Sequence, residues 1–199
     1  MSNVKNQLAA VKGVMQSVRI VEYLTPDEVK RVVIASNEGR HGSRDSLLVK
    51  ILFETGLRIS EALSLTPRMI GNYEGHAVLF IIGKGGKPRM VSCPDDLANE
   101  IRSFAYLNKI DLDQKIWDIN RKRAWQIIKE SARRAGIQKR VYPHLFRHSD
   151  AIERLRQTGN PKALQYHLGH SSMMMTMRYL TTLTAEDALK IQQEVKFEN

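Results

Sequence analysis

One stretch breaks an otherwise helical pattern and limits what the chain can fold into. Residues 76–82, from His76 to Ile82, are β-branched and aromatic with little alternation, the composition of a strand. Gly83-Lys84-Gly85-Gly86 supplies a turn, and Lys87-Pro88-Arg89-Met90-Val91-Ser92 returns. The expected class is α+β: mainly α-helical, with a small antiparallel β-hairpin or sheet. The glycines do not make a P-loop, because their spacing and the Lys-Ser/Thr pair are missing, and they do not make a dinucleotide fingerprint. Lys84, Lys87 and Arg89 instead form a basic finger with the reach to touch a phosphate backbone.

Helical signals surround this hairpin. Thr25-Pro26-Asp27-Glu28 reads as an N-cap, a first-turn proline and a capping box, and Val29, Val32 and Val33 follow at helical spacing. Asn37-Glu38-Gly39 ends that helix, and Ser43 or Asp45 starts another through Leu47, Leu48, Ile51 and Leu52. Pro94 opens a helix through Leu97, Ile101 and Leu107. The segment from Asn120 to Ala135, stopped by Gly136, is the most basic helix. Its Arg121, Lys122, Arg123 and Lys129 are the candidates for contact with a DNA groove or backbone. The 22 residues ahead of Tyr23 carry scattered Leu8, Val11, Val14, Met15 and Val18 and suit a helical arm or linker. Residues 23–199 form the globular domain, closed by an amphipathic helix over residues 184–197.

The balance of charge narrows the partner. Lys and Arg number 31 against 21 Asp and Glu, a net charge of +10, and clustered cations of that kind release counterions from nucleic acid. No apolar run reaches membrane-spanning length and no secretory leader is evident, so a cytoplasmic, nucleoid-associated protein is expected. A single cysteine, Cys93, excludes an internal disulfide and a cysteine-based zinc site.

Three further stretches carry residues suited to holding an anion. In Thr55-Gly56-Leu57-Arg58-Ile59-Ser60-Glu61, Gly56 permits a sharp break and Arg58 stands at a helix start. An arriving anion there would meet helix N–H groups and a guanidinium together, and Glu61, one turn on, can hold Arg58. In Tyr142-Pro143-His144-Leu145-Phe146-Arg147-His148, His144 and Arg147 are three apart and share a face; His148 is placed off that face as a structural residue. In Leu168-Gly169-His170-Ser171-Ser172, a helix ends at Gly169 and Ser171 or Ser172 caps the next. Tyr179 is expected about two turns along that helix, near its end.

Together, Thr-Gly-Leu-Arg-Ile-Ser-Glu, Gly-Lys-Gly-Gly-Lys-Pro-Arg, His144-x-x-Arg147-His148 and Leu-Gly-His170 followed by Tyr179 resemble the tyrosine recombinase (phage integrase) family, closest to its Xer-like members. Order, spacing and flanking apolar residues fit over roughly residues 24–197. The resemblance implies the catalytic-domain fold of that family and a site-specific DNA recombinase or integrase, which cuts and rejoins strands through a 3′-phosphotyrosyl link without metal or ATP. It implies Tyr179 as nucleophile, and Arg58, Arg147 and His170 as contacts to the non-bridging oxygens. It further implies Lys84 as general acid for the 5′-oxygen, His144 as an aid to proton transfer, and Glu61 as support for Arg58.

Double-stranded DNA is the implied partner, with a homo-tetramer joined by exchange of the C-terminal helix; no cofactor, metal or membrane is implied. The family also carries an N-terminal core-binding domain, which residues 1–22 are too few to form, so weak DNA binding by this chain alone is expected. Two other readings are a DNA-relaxing enzyme of the type IB topoisomerase kind and a DNA-binding accessory factor without catalysis. The Xer-like flanks argue against the first, and the full set of site residues against the second.

Overall fold

The computed structural model describes residues 21–83 and 85–196. The arm expected over residues 1–22 therefore lies outside the described residues, apart from Val21 and Glu22. So does Lys84 at the hairpin tip. Residues 21–25 lead without regular secondary structure into the first helix, with Val21 and Tyr23 packed on apolar side chains further along the chain.

Helix α1, Pro26–Asn37, starts as the sequence requires. The Thr25 hydroxyl accepts from the Glu28 N–H at 3.2 Å, and the Glu28 carboxylate accepts from the Thr25 N–H at 2.8 Å. Helix α2, Gly42–Glu54, begins one residue before Ser43, with His41 at its cap and no side-chain capping bond. Leu47, Leu48, Val49, Ile51 and Leu52 are each at most 1% exposed. A helix with so wide an apolar face belongs in the middle of a fold, and α2 lies against α1, α3 (Ile59–Leu63), α4 (Asp95–Leu107) and α6 (Pro143–Thr158). Trp117, fully buried, donates its indole N–H to the Arg44 carbonyl at 3.0 Å, which ties the loop after α4 to the start of α2.

The sheet has three antiparallel strands, β1 (Ile70–Tyr73), β2 (His76–Ile82) and β3 (Pro88–Ser92), in the order β1-β2-β3. The hairpin of the sequence is β2–β3, with Leu79 paired to Val91 and Phe80 to Met90. Strand β1 carries no sequence signal of its own: in Ile-Gly-Asn-Tyr only Ile70 is buried. Leu79, Ile81 and Val91 face the core, whereas Phe80, Ile82 and Met90 are 47%, 66% and 49% exposed on the other face.

Helix α5, Arg121–Arg134, is capped by Asn120, whose side chain accepts from the Arg123 N–H. It packs on α1 and α3. Helix α6 is followed by α7 (Pro161–Leu168), α8 (Met174–Met177), a 3-10 turn at Leu180–Thr182, and α9 (Ala185–Gln193). The helix after His170 is thus only one turn long, and Tyr179 falls beyond it, at the start of the 3-10 turn. Met173 holds the cap position of α8, and the Ser172 hydroxyl accepts from the Met174 N–H. The C-terminal helix is shorter than residues 184–197, ending at Gln193, but its Thr184–Asp187 capping box forms.

The apolar core divides into a large cluster around α2 and a smaller one formed by Ala151, Ile152, Leu155, Leu164, Leu168 and Tyr179. Among the described residues no helix is long and apolar enough to cross a membrane. Leu48, with no exposed surface, tests the role of α2. Leu48→Ala is expected to lower the unfolding free energy by about 2–5 kcal/mol, measured by urea denaturation, and a loss below about 1 kcal/mol would take α2 out of the core.

Candidate active site

Gly56 adopts φ +59° between α2 and α3, a conformation that costs glycine little. The turn sets Arg58 at the N-cap of α3. The Glu61 carboxylate accepts from the Arg58 N–H at 2.8 Å and from its guanidinium at 2.9 Å. The Arg58–Glu61 pair expected from the sequence is therefore present. A second cation shares the same carboxylate: Arg89 of β3 reaches Glu61 with both terminal nitrogens, at 2.9 and 3.0 Å. Burial alone would raise the Glu61 carboxyl, but the hydrogen bonds and charges of Arg89 and Arg58 bring it below the usual carboxylate range.

This corrects the expectation for Arg89 as an outward DNA contact. Its side chain is 13% exposed and lies against Gly169, where an added Cβ would come within 2.8 Å of its Cδ. Inward strand residues of a hairpin cannot be told from outward ones when the strand barely alternates. Lys87 remains exposed on the hairpin, and Arg121, Lys122, Arg123 and Lys129 are exposed on α5. The first three sit in the first turn of that helix, where backbone N–H groups already make the potential positive. Lys129 lies 5.2 Å over the Trp125 ring.

Arg147 is 1% exposed. Its guanidinium donates to the carbonyls of Gly56 and Leu168, the latter at 2.6 Å, so it joins α6 to the turn before α3 and to the end of α7. Burial, and then the neighbouring Arg58 charge, lower its pKa to about 10, and it stays charged at neutral pH. One residue past Gly169, whose φ is +63°, the His170 ring meets the Thr176 hydroxyl at 2.8 Å through Nδ1. Burial, Arg147 and Arg58 hold its pKa at about 4, so it is neutral at physiological pH.

Tyr179 is 2% exposed, and its hydroxyl lies 2.9 Å from Nδ1 of His148. His148 was placed off the functional face by its spacing from His144. The structure shows the reverse, because residues four apart also lie over one another on a helix. The His144 and His148 rings pack edge to face at 4.5 Å, and His144 is the more exposed of the two. That four-residue spacing was the signal available in the sequence. Desolvation, and then the charges around it, lower the His144 pKa, with Arg147, Arg58 and Arg178 contributing. Burial and the adjoining His144 bring His148 to about 3. The phenol of Tyr179 is raised by burial, against the opposing pull of Arg178 and Arg147. The Arg178 guanidinium stands 5.5 Å over the tyrosine ring.

The structure thus brings Arg58, Glu61, His144, Arg147, His170 and Tyr179 into one region, with Arg89, His148 and Arg178 added and Lys84 outside the described residues. Chemically, this is a cationic recess holding a phenol against a neutral imidazole. Among the described residues, no group of three or more His, Cys, Asp or Glu side chains is placed to hold a metal ion.

The chain is similar to known recombinases. Residues 22–186 match the phage integrase family. Over 183 residues the chain is 33% identical to tyrosine recombinase XerA of Thermococcus kodakarensis, covering 87% of this chain and 62% of that protein. The chain therefore spans about three fifths of that relative's length. A XerA recombinase crystal structure superposes with a TM-score of 0.72 at 26% identity, covering 90% of this chain and 67% of that one. A structure of XerH site-specific recombinase bound to difH substrate shares the fold, with a TM-score of 0.73 at 18% identity, over 98% of this chain and 66% of that one.

The buried histidines make a stability prediction with a definite sign. Their folded pKa values lie below 6.5, so the unfolded chain takes up protons first as pH falls. Their contribution is complete above pH 6.5 and is lost as pH drops toward the folded values near 4 and 3. Urea unfolding should show a loss of at least about 1 kcal/mol between pH 7 and pH 5, and His148→Asn should flatten that slope. A flat profile in the unmodified protein would contradict the neutral, buried state of His148.

Proposed function

This chain belongs to the phage integrase family, the tyrosine recombinases, and on that premise we propose that it is the catalytic domain of a site-specific DNA recombinase, which cuts and rejoins strands through a 3′-phosphotyrosyl link. The observation that carries the reading is the Tyr179 hydroxyl at 2.9 Å from His148 Nδ1, beside the Arg147 and Arg178 charges. A phenol near pKa 10 is a weak nucleophile at neutral pH. The negative charge of an arriving DNA phosphate would offset the cations that depress His148 and raise its basicity, so that the imidazole in contact can take the proton as the oxygen attacks.

In the proposed step the Tyr179 oxygen bonds to phosphorus and the bond to the 5′-oxygen breaks. The proton of the phenol goes to His148, with His144 packed behind it. The leaving oxygen takes a proton from Lys84. Arg58, Arg147 and His170 hold the non-bridging oxygens, whose charge grows in the transition state, and fixed donors stabilise such charge better than mobile water. Glu61 and Arg89 fix Arg58. Because the phosphodiester bond is exchanged for a phosphotyrosyl bond, the 5′-hydroxyl can reverse the step without ATP, and no metal takes part.

Tyr179 is a core residue in this state, so attack requires the segment around Met173–Thr182 to move outward. Its one-turn helix exposes Met174, Met175 and Met177 and is anchored through Thr176, Tyr179 and Thr182, the side chains such a movement would have to release. Double-stranded DNA is the proposed partner, met by the exposed cations of α5 and by Lys87. Helix α9 supports a proposed homo-tetramer on DNA. It docks on α6 through Ile191 against Gly159 and Arg156 with Asp187 at 3.4 Å, and it leaves Leu189 60% exposed, with Val195 just past its end 50% exposed.

Two experiments test these proposals. Incubation with labelled nicked DNA bearing the cognate site should give a covalent adduct on a denaturing gel. Tyr179→Phe should abolish it, and Arg58→Ala or Arg147→Ala should slow its formation at least about 10²-fold; adduct formation by Tyr179→Phe at the unmodified rate would refute the nucleophile. Removal of residues 184–199 should leave the fold intact by circular dichroism while preventing higher assembly on DNA in native gels. Unchanged assembly would refute helix exchange.

A further inference from the structure

Behind the proposed anion site lies a buried acid that the proposed chemistry does not use. Asp150, on α6, is 3% exposed. Its Oδ1 accepts from Arg154 Nε at 2.6 Å, and Arg154 also donates from Nη2 to the Glu54 carbonyl at 2.7 Å. Its Oδ2 faces His167 Nε2 at 3.6 Å, and among the described residues neither atom has a hydrogen-bond partner. The His167 side chain is 10% exposed. Oδ2 also presses on the α2–α3 turn, where a Cβ on Gly56 would fall 2.3 Å from it. A carboxylate withdrawn from water is tolerated only beside opposite charge or donors; Arg154 supplies both, while the His167 ring and the Gly56 turn confine the group on its other two sides.

Those three sides are the segments that position Arg147. Arg154 fixes the last carbonyl of α2, two residues from Gly56. His167 precedes Leu168. The Gly56 and Leu168 carbonyls are the two acceptors of the Arg147 guanidinium, and His170 follows Leu168 by two residues. We propose that Asp150, clamped between Arg154 and His167, is a positioning residue. It sets the separation of the Gly56 and Leu168 carbonyls, and through them the orientation of Arg147 and His170 toward a bound phosphate. The link to a phosphate rests on the recombinase reading above; the link to Arg147 geometry does not.

The test reads both links separately on the full chain. Nitrogen-15 NMR follows exchange of the Arg147 guanidinium protons, which two carbonyl acceptors slow. Single-turnover adduct formation at saturating nicked DNA follows the chemistry, and DNA affinity is measured alongside. Asp150→Asn keeps the shape and removes the charge. It is expected to speed exchange of the Arg147 protons and slow adduct formation by about 10- to 10²-fold, with DNA affinity within about twofold. A purely structural Asp150 would lower the melting temperature and leave both readouts at wild type, which would overturn the proposal.

Substitutions at His167 provide a second comparison if Asp150→Asn fails to fold. His167→Gln places an amide N–H where Nε2 stands and is expected to retain slow exchange, whereas His167→Ala is expected to lose it. Equal exchange in the two would overturn the proposal. If the unmodified protein forms no adduct on DNA it binds, the recombinase reading fails, and the exchange comparison still decides whether Asp150 positions Arg147.

Discussion

The guanidinium of Arg147 is the constraint on which the rest of the site depends. It is 1% exposed and its hydrogen-bond acceptors are two neutral carbonyls. Carbonyls satisfy the N–H groups but do not cancel the charge, and a buried charge left uncancelled is costly. The fold offsets that cost by joining three segments through one side chain: α6, the turn at Gly56 and the end of α7. The same arrangement leaves a positive potential that an incoming anion can meet.

The neighbouring groups keep that potential from being quenched. Glu61 is shared between Arg58 and Arg89, so one carboxylate faces two guanidiniums. The histidines are neutral: burial and the nearby cations hold His170 near pKa 4 and His148 near 3. They act as hydrogen-bonding groups without adding like charge to a crowded recess. Tyr179 is kept protonated by its burial, so the site holds cations and a neutral phenol together.

Much of this was legible in the sequence, because the elements carrying it are set by local rules. The Thr25–Glu28 capping box, the β2–β3 hairpin and the left-handed Gly169 each follow from residue type and spacing. What escaped was set by tertiary contact. Strand β1 shows no pattern because one of its four residues is buried. The inward turn of Arg89 depends on which face of the hairpin meets α3 and α7. The burial of Tyr179 depends on an apolar cluster drawn from α6 and α7, and no local pattern near the tyrosine announces it. His148 is different, since its four-residue spacing from His144 was visible and the wrong face was assigned to it. Asp150 and His167 lie 17 positions apart, and nothing in their local context marks them as partners.

Arg89 leaves β3 beside the hairpin tip, passes Gly83, lies on Gly169 and ends on Glu61. A single side chain thus spans from the base of the finger to the helix that carries Arg58. The hairpin is in effect a lever with its fulcrum at Glu61. Among the described residues, nothing lies within 4 Å of a Cβ added at Gly85 or Gly86, so the turn is unpacked. Travel at the base strains a buried double hydrogen bond. The base of the ribbon is therefore registered to the anion site through one side chain, and alignment of the finger is decided where it begins.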